Sequence, residues 1–264
     1  MIVKICDIIS NEKISSDKDD ERGVYSMLID APEIAEIAKP GQFIHVKCDS
    51  FTLRRPISIA SSKNNKIRIC YDIRGGGTKW LSGLKGGDNC DKIDVMGPIG
   101  NGFDISDASK KVLLVGGGIG IYPLYSVAEV YGENAAVVLG FRTKERITFE
   151  KEFKDCGVDL YIATDDGSYG VKGRAIDLVR EFLDKNNNNI DIIMTCGPKA
   201  MLQGIALEAA KRNIRRQVSL EERMACGIGA CLACVCRVDG VNKRVCVDGP
   251  VFDISEGSGV DFEW

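Results

Sequence analysis

Near residue 105 the hydrophobic pattern of this chain changes period, and that change limits the folds open to it. Before it, short β-forming runs at 24–29, 43–47, 57–60, 66–73 and 92–95 are separated by Gly, Pro, Asn and Asp. Short strands at such spacing predict a small antiparallel barrel or sandwich. After it, Lys111-Val112-Leu113-Leu114-Val115 opens a series of continuous apolar runs, followed by 135–141, 158–163 and 190–196. Helical patterns stand between them at 121–131, 148–155, 174–184 and 199–213. The third is the clearest, because Ala175, Ile176, Leu178, Val179, Phe182 and Leu183 fall on one stripe. Strands apolar on both faces and alternating with helices predict a parallel sheet covered on both sides. A final strand is expected at 216–220, while the mixed charges of 11–23 read as a solvated loop.

Past that last strand stands the most specific motif. Cys226, Cys231, Cys234 and Cys246 follow C-x4-C-x2-C-x11-C. This is the loop spacing that holds a [2Fe–2S] cluster in plant-type ferredoxins, with the fourth thiolate arriving from further along the chain. Gly227 and Gly229 suit a backbone folded tightly around sulfides, with amides free to point at sulfur. A four-cysteine zinc site is the competing reading, but zinc knuckles favour paired C-x2-C units and one clear pair stands here. Cys236 is a fifth thiol. On a strand leaving the loop it would share a face with Cys234, so spacing leaves it open as a ligand.

With 264 residues, 44% of them hydrophobic, the chain can bury a core sufficient for two domains and a small third. The boundaries expected are 1–104, 105–217 and 218–264. A net charge of −3 with scattered lysines and arginines argues against nucleic acid or an anionic membrane as partner. The opening residues are too soon interrupted by charge for a signal peptide, and no apolar run reaches a membrane span. Of eleven cysteines, six (Cys6, Cys48, Cys70, Cys90, Cys156 and Cys196) lie singly, which points to reduced thiols in the cytoplasm. A single histidine, His45, excludes schemes needing two and argues against a Ser-His-Asp triad. Its strand-like surroundings make it a strand residue without catalytic duty.

Three segments of the first hundred residues could meet a ligand. Arg54-Arg55-Pro56-Ile57-Ser58 sets guanidinium groups just before a strand, where an arginine can grip a pyrophosphate while a serine reaches a flavin ring. Arg74-Gly75-Gly76-Gly77-Thr78 offers unhindered amides and a hydroxyl suited to phosphate, and the run from Met96 to Phe103 is rich in turn residues. In this order, ahead of a glycine-rich nucleotide module, they resemble the ferredoxin–NADP reductase superfamily. That resemblance implies an FAD-binding barrel, with Arg55, Pro56, Ile57, Ser58, Cys70, Tyr71, Asp72, Gly77 and Thr78 around the FAD. The superfamily has a tyrosine where Ile57 stands, which leaves the stacking partner of the flavin open.

Ligands of parallel sheets bind at the carboxyl ends of the strands. Loops suited to this are Gly116-Gly117-Gly118-Ile119-Gly120, Thr164-Asp165-Asp166-Gly167 and Thr195-Cys196-Gly197-Pro198. The first is not a G-x-G-x-x-G, since Ile121 takes the last glycine's place, and no acid follows the second strand. The superfamily resemblance instead implies a nicotinamide module using Gly116, Gly117, Gly118 and Gly120, with the nicotinamide near Cys196, Gly197 and Pro198. Residues alone do not decide NAD against NADP, since Arg142 or Arg146 could hold a 2′-phosphate. Nicotinamide exchanges two electrons, a [2Fe–2S] cluster one, and a flavin either, so the flavin belongs between them. Such chemistry needs alignment and redox tuning, and no catalytic side chain is named.

From barrel to cysteine loop the chain resembles the electron-transfer subunits of dihydroorotate dehydrogenase B. Met224 to Cys231 and Cys246-x-Asp248-Gly249-Pro250-Val251-Phe252 carry that likeness most specifically. The resemblance implies NAD as acceptor and a separate FMN-bearing catalytic subunit, two of each in a heterotetramer, serving pyrimidine synthesis. The cysteine-loop surface would face that partner. Two rival readings are the small subunit of a ferredoxin:NADP oxidoreductase or sulfide dehydrogenase, and a flavin- and zinc-binding module without enzymatic role.

Overall fold

A computed structural model describes residues 1–16, 22–186 and 189–254. Residues 17–21 of the expected polar loop, and the tail from 255, lie outside the described residues.

The first third is a closed antiparallel barrel of six strands: β1 (Ile2–Lys13), β2 (Val24–Asp30), β3 (Phe43–Val46), β4 (Arg55–Lys63), β5 (Lys66–Asp72) and β6 (Lys92–Ile99). They run in the order β1-β2-β5-β4-β3-β6, and β1 closes the ring by pairing with β6. Alternation turns Ile8, Met27, Ile44, Ile69 and Val95 inward to fill it. β1 is absent from the sequence reading, and its last three residues fall in what reads as loop. The cause is a bulge between Ile8 and Ser10, which breaks the period-two signal midway. Two short helices also escape that reading. α1 (Pro32–Ile37) begins at a proline with the preset φ that a first turn needs and buries Ile34. α2 (Gly76–Ser82) forms from the glycine run because the Thr78 hydroxyl accepts the backbone N–H of Arg74 at 2.8 Å. The Met96–Ile99 stretch, expected as turn, continues β6.

The second part is a seven-stranded sheet ordered β10-β9-β8-β7-β11-β12-β15. Its members are β7 (Val112–Gly117), β8 (Ala135–Phe141), β9 (Asp159–Thr164), β10 (Val171–Lys172), β11 (Ile192–Cys196), β12 (Arg215–Ser219) and β15 (Val251–Asp253). All neighbours are parallel except β15, which returns antiparallel to β12. Helices α3 (Ile121–Tyr131) and α4 (Glu150–Asp155) cover one face, while α5 (Ala175–Lys185) and α6 (Lys199–Lys211) cover the other. β7 lies central, with β8 and β9 to one side and β11 and β12 to the other, so the order reverses between β7 and β11. The expected stripe of α5 is buried at Ala175, Ile176, Leu178, Val179 and Leu183, and Phe182 meets Tyr161 edge-on at 5.4 Å.

A hairpin, β13 (Val235–Val238) with β14 (Val241–Arg244), follows the cysteine loop. One apolar layer joins all three parts: Phe43, Met96 and Ile99 of the barrel, Leu202 and Val218 of the sheet domain, and Cys234, Cys236 and Cys246. The backbone N–H of Asn101 donates to Gly249 O at 2.6 Å, and its side-chain amide donates to the carbonyls of Val247 and Asp248. The barrel's last turn thereby clamps the segment that delivers Cys246.

Candidate functional site

At the carboxyl ends of β7 and β11 two glycine loops meet with almost no side chain between them. A Cβ placed on Gly120 would lie 2.4 Å from Cys196 O, and one on Gly197 would lie 3.0 Å from Gly117 N. Gly197 also takes a φ of 153°, which disfavours any side chain. A Cβ on Gly117 would meet Pro198 Cδ at 2.9 Å. The result is a bare backbone floor at the point where strand order reverses, the place where an open parallel sheet takes its ligand. Gly116 lies beneath it, close to Ile121. The Cys196 thiol is buried, and burial pushes its pKa up to about 12, so it stays protonated.

This floor opens into a cleft of about 1420 Å³ between sheet and barrel. From the sheet side Gly117, Gly118, Gly120, Gly197, Pro198 and Asp165 line it, and from the barrel side Asp72, Arg74, Gly75 and Gly76. Arg142 faces the cleft and is exposed. Arg146 lines the cleft too, but its guanidinium donates to Asp72 Oδ1 at 2.8 Å and to Arg22 O, tying the nucleotide domain to the barrel. Of the two arginines that the sequence offers to a 2′-phosphate, Arg142 is the one turned to open space. Tyr122, Arg174 and Glu221 also line the cleft and carry no motif that would have marked them. The Tyr122 phenol shares a 2.8 Å hydrogen bond with Thr148, and burial raises its pKa well above the tyrosine range.

On the barrel, Arg55 opens β4 and lies flat against the start of α2. A Cβ on Gly77 would stand 2.6 Å from Arg55 Nε, so glycine is what lets the guanidinium lie there. Its Cζ lies 4.9 Å from the centre of the Phe51 ring, and its Nη1 donates to Leu53 O. This leaves further N–H groups of the fork for an anion beside Gly77. The other strand residues expected around a flavin lie on both faces of their strands. Pro56 and Ser58 face outward on β4 while Ile57 turns into the barrel. Tyr71 is interior, its hydroxyl donating to Asn11 Oδ1 at 2.9 Å and its ring stacked on Tyr25. Cys70 faces the layer between barrel and sheet. Thr78 is used as the cap of α2.

The cysteine loop brings its thiols together two and two. Electrostatically Cys226 is linked to Cys231, and Cys246 to Cys234. The first pair lies toward the surface, and the second is buried. Among the described residues no group of three His, Cys, Asp or Glu side chains is arranged to hold a metal ion. Gly227 and Gly229 have φ of 70° and 79°, the left-handed turns expected of them. The backbone N–H groups of Ile228 and Cys231 donate to Cys226 Sγ at 3.4 Å each. These donors, Ile228 first, hold the Cys226 thiol down at about 6, so its thiolate is available at neutral pH. Burial raises Cys246 to about 12 and Cys236 to about 11. Cys236 lies in the same apolar layer as Cys234, with Lys243 as its ladder partner. Arg244 braces the loop by donating to Gly229 O and to the Asp248 carboxylate.

His45 stands on β3, as its sequence surroundings imply, but the structure adds a neighbour that the sequence does not reveal. A Cβ on Gly227 would lie 2.8 Å from His45 Cε1 and 2.9 Å from Nδ1. The ring is fully buried, and among the described residues neither nitrogen has a hydrogen-bond partner. Burial first, then the Arg54 charge, lowers its pKa to about 4, which leaves the imidazole neutral.

Barrel, switch-point glycines and a four-thiol loop together define a reductase of the ferredoxin–NADP reductase kind with an iron–sulfur module attached. A solved NADH-dependent reduced ferredoxin–NADP oxidoreductase matches with a TM-score of 0.80 and 34% identity, covering 98% of this chain and 90% of that one. The ferredoxin–NADP+ reductase of Plasmodium falciparum matches in fold, with a TM-score of 0.63 and 14% identity over 81% of this chain and 95% of that one. Residues 221–256 match the iron–sulfur cluster binding domain of dihydroorotate dehydrogenase B. The dihydroorotate dehydrogenase B (NAD(+)) electron transfer subunit of Geobacillus thermodenitrificans is 42% identical over 245 residues, 88% of this chain and 91% of that protein. The corresponding subunit of Bacillus cereus is 39% identical over 261 residues, 93% of this chain and 97% of that protein. This chain belongs to the family of dihydroorotate dehydrogenase B electron-transfer subunits.

Proposed function

We propose that this chain carries electrons from an FMN-containing catalytic subunit, which oxidises dihydroorotate to orotate, to NAD+ in pyrimidine synthesis. The route is a [2Fe–2S] cluster held by Cys226, Cys231, Cys234 and Cys246, then FAD, then NAD+. Bound flavin can exchange one electron with the cluster and two with nicotinamide. The observation that carries this reading is the shared apolar layer. It packs the buried thiol pair against Phe43 and Met96 of the barrel and Leu202 of α6, which follows the Gly197-Pro198 loop.

In this reading residues 1–104 hold the flavin. Arg55 grips its pyrophosphate beside Gly77 and Thr78, Pro56 and Ser58 line its outer strand, and Ile57, Cys70, Tyr71 and Asp72 support that surface. Residues 105–217 take NAD+ on the floor of Gly116, Gly117, Gly118 and Gly120, with the nicotinamide beside Cys196, Gly197 and Pro198. Residues 218–264 hold the cluster. Ile228, Leu232 and Val247 are exposed around the thiol loop and give the catalytic partner an apolar surface, in a heterotetramer of two of each subunit. Among the described residues no helix is long and apolar enough to cross a membrane. Eleven unbridged cysteines support a cytoplasmic setting.

The chain has no role here for dihydroorotate itself. Purified alone with FAD and iron, it is expected to pass electrons from NADH to an artificial one-electron acceptor and to leave dihydroorotate unchanged. Oxidation of dihydroorotate by the isolated chain would contradict this division of labour.

A further inference from the structure

We propose that the imidazole of His45 donates a hydrogen bond to a sulfur of the bound cluster, on the Cys226 side of the loop, and thereby raises the cluster's reduction potential. His45 is then a positioning residue for electron transfer rather than inert strand filling.

Three observations carry this. The ring is closed off from solvent with both nitrogens unpartnered among the described residues, which is rare for a buried polar side chain. It is roofed by Gly227, the residue next to Cys226, so closely that only glycine fits between them. A neutral imidazole always has one N–H to donate. The nearby loop amides of Ile228 and Cys231 are themselves donors, already aimed at Cys226 Sγ. What the N–H needs is an acceptor, and a cluster seated in this loop supplies sulfur. Hydrogen bonds to cluster sulfurs favour the reduced, more negative state and so raise the potential.

The placement also bears on the path of the electron. β3 lies between β4 and β6, and the ladder partners of His45 are Pro56 and Met96. Pro56 belongs to the strand assigned above to the flavin, and Met96 also touches the Gly227 position. His45 thus lies between the flavin strand and the cluster loop. The inference rests on the cluster-ligand assignment and adds to it a residue outside the loop.

The chain has one histidine, so labelling with 15N-histidine reports His45 alone. The labelled chain is assembled with its unlabelled partner, and the reduced cluster is examined by pulsed EPR. A 15N coupling is expected. A normal cluster signal without 15N coupling would overturn the proposal while leaving the ligand assignment intact, whereas absence of any reduced-cluster signal would overturn both. In a redox titration His45→Leu is expected to change the reduced-to-oxidised ratio about tenfold toward oxidised at a given potential, or ~59 mV for a one-electron couple. His45→Asn, which keeps a donor near the Nδ1 position, is expected to recover most of that shift. A His45→Leu protein with full iron and FAD and an unchanged midpoint would also overturn the proposal. Should His45→Leu fail to retain iron, the labelling result on the unaltered side chain decides.

Discussion

Replacing Cys246 or Cys234 by serine is expected to strip the cluster and lower dihydroorotate-driven NADH formation by more than ~100-fold, since changes outside the first ligands alone cost 10–100-fold. FAD content should remain, because the flavin surface proposed above belongs to the barrel. Cys236→Ser is the informative companion. The thiol of Cys236 lies in the same buried layer, but on the hairpin strand that leaves the loop, paired with Lys243. Cys236→Ser should therefore keep its iron. Iron analysis and the visible spectrum of the three variants check this. A Cys236→Ser protein without iron, beside a Cys246→Ser protein that keeps it, would exchange the two assignments.

Arg55→Ala is expected to release FAD while the chain stays folded. A charge-assisted hydrogen bond contributes about 1.5–3 kcal/mol, so affinity should fall roughly 10- to 150-fold. The side chain has little structural duty to lose: it lies on Phe51 and Gly77 at the barrel's rim. Arg55→Lys should recover only part of the affinity, because an ammonium keeps the charge without the planar fork. Flavin released on dilution, followed by fluorescence, measures both. Unchanged FAD retention in Arg55→Ala would move the pyrophosphate to cations that line the cleft, such as Arg74 and Lys79.

Local signals made most of the architecture legible. β8 and α3 match the apolar runs read from the sequence because each is one unbroken period, and Gly227 and Gly229 take the left-handed turns their positions demand. The bare floor at β7 and β11 is legible for the same reason: glycines stand wherever backbone must touch backbone. β1 was hidden by its bulge, and α2 by the ambiguity of a glycine run that one threonine hydroxyl turns into a helix. Contacts between distant segments left no local trace. Asn101 holding Val247 and Asp248, Arg146 reaching Asp72, and His45 beneath Gly227 each join stretches that propensity treats independently. Those contacts determine how the three parts face one another.

The most direct test of electron flow through this chain uses the native complex, purified anaerobically through this subunit and given dihydroorotate as sole reductant. Reduction of NAD+ to NADH is the predicted result, and it would establish donor, acceptor and partner in one assay. A complex that retains flavin and iron yet forms no NADH would contradict the account and point to a partner of the ferredoxin or sulfide-oxidising kind.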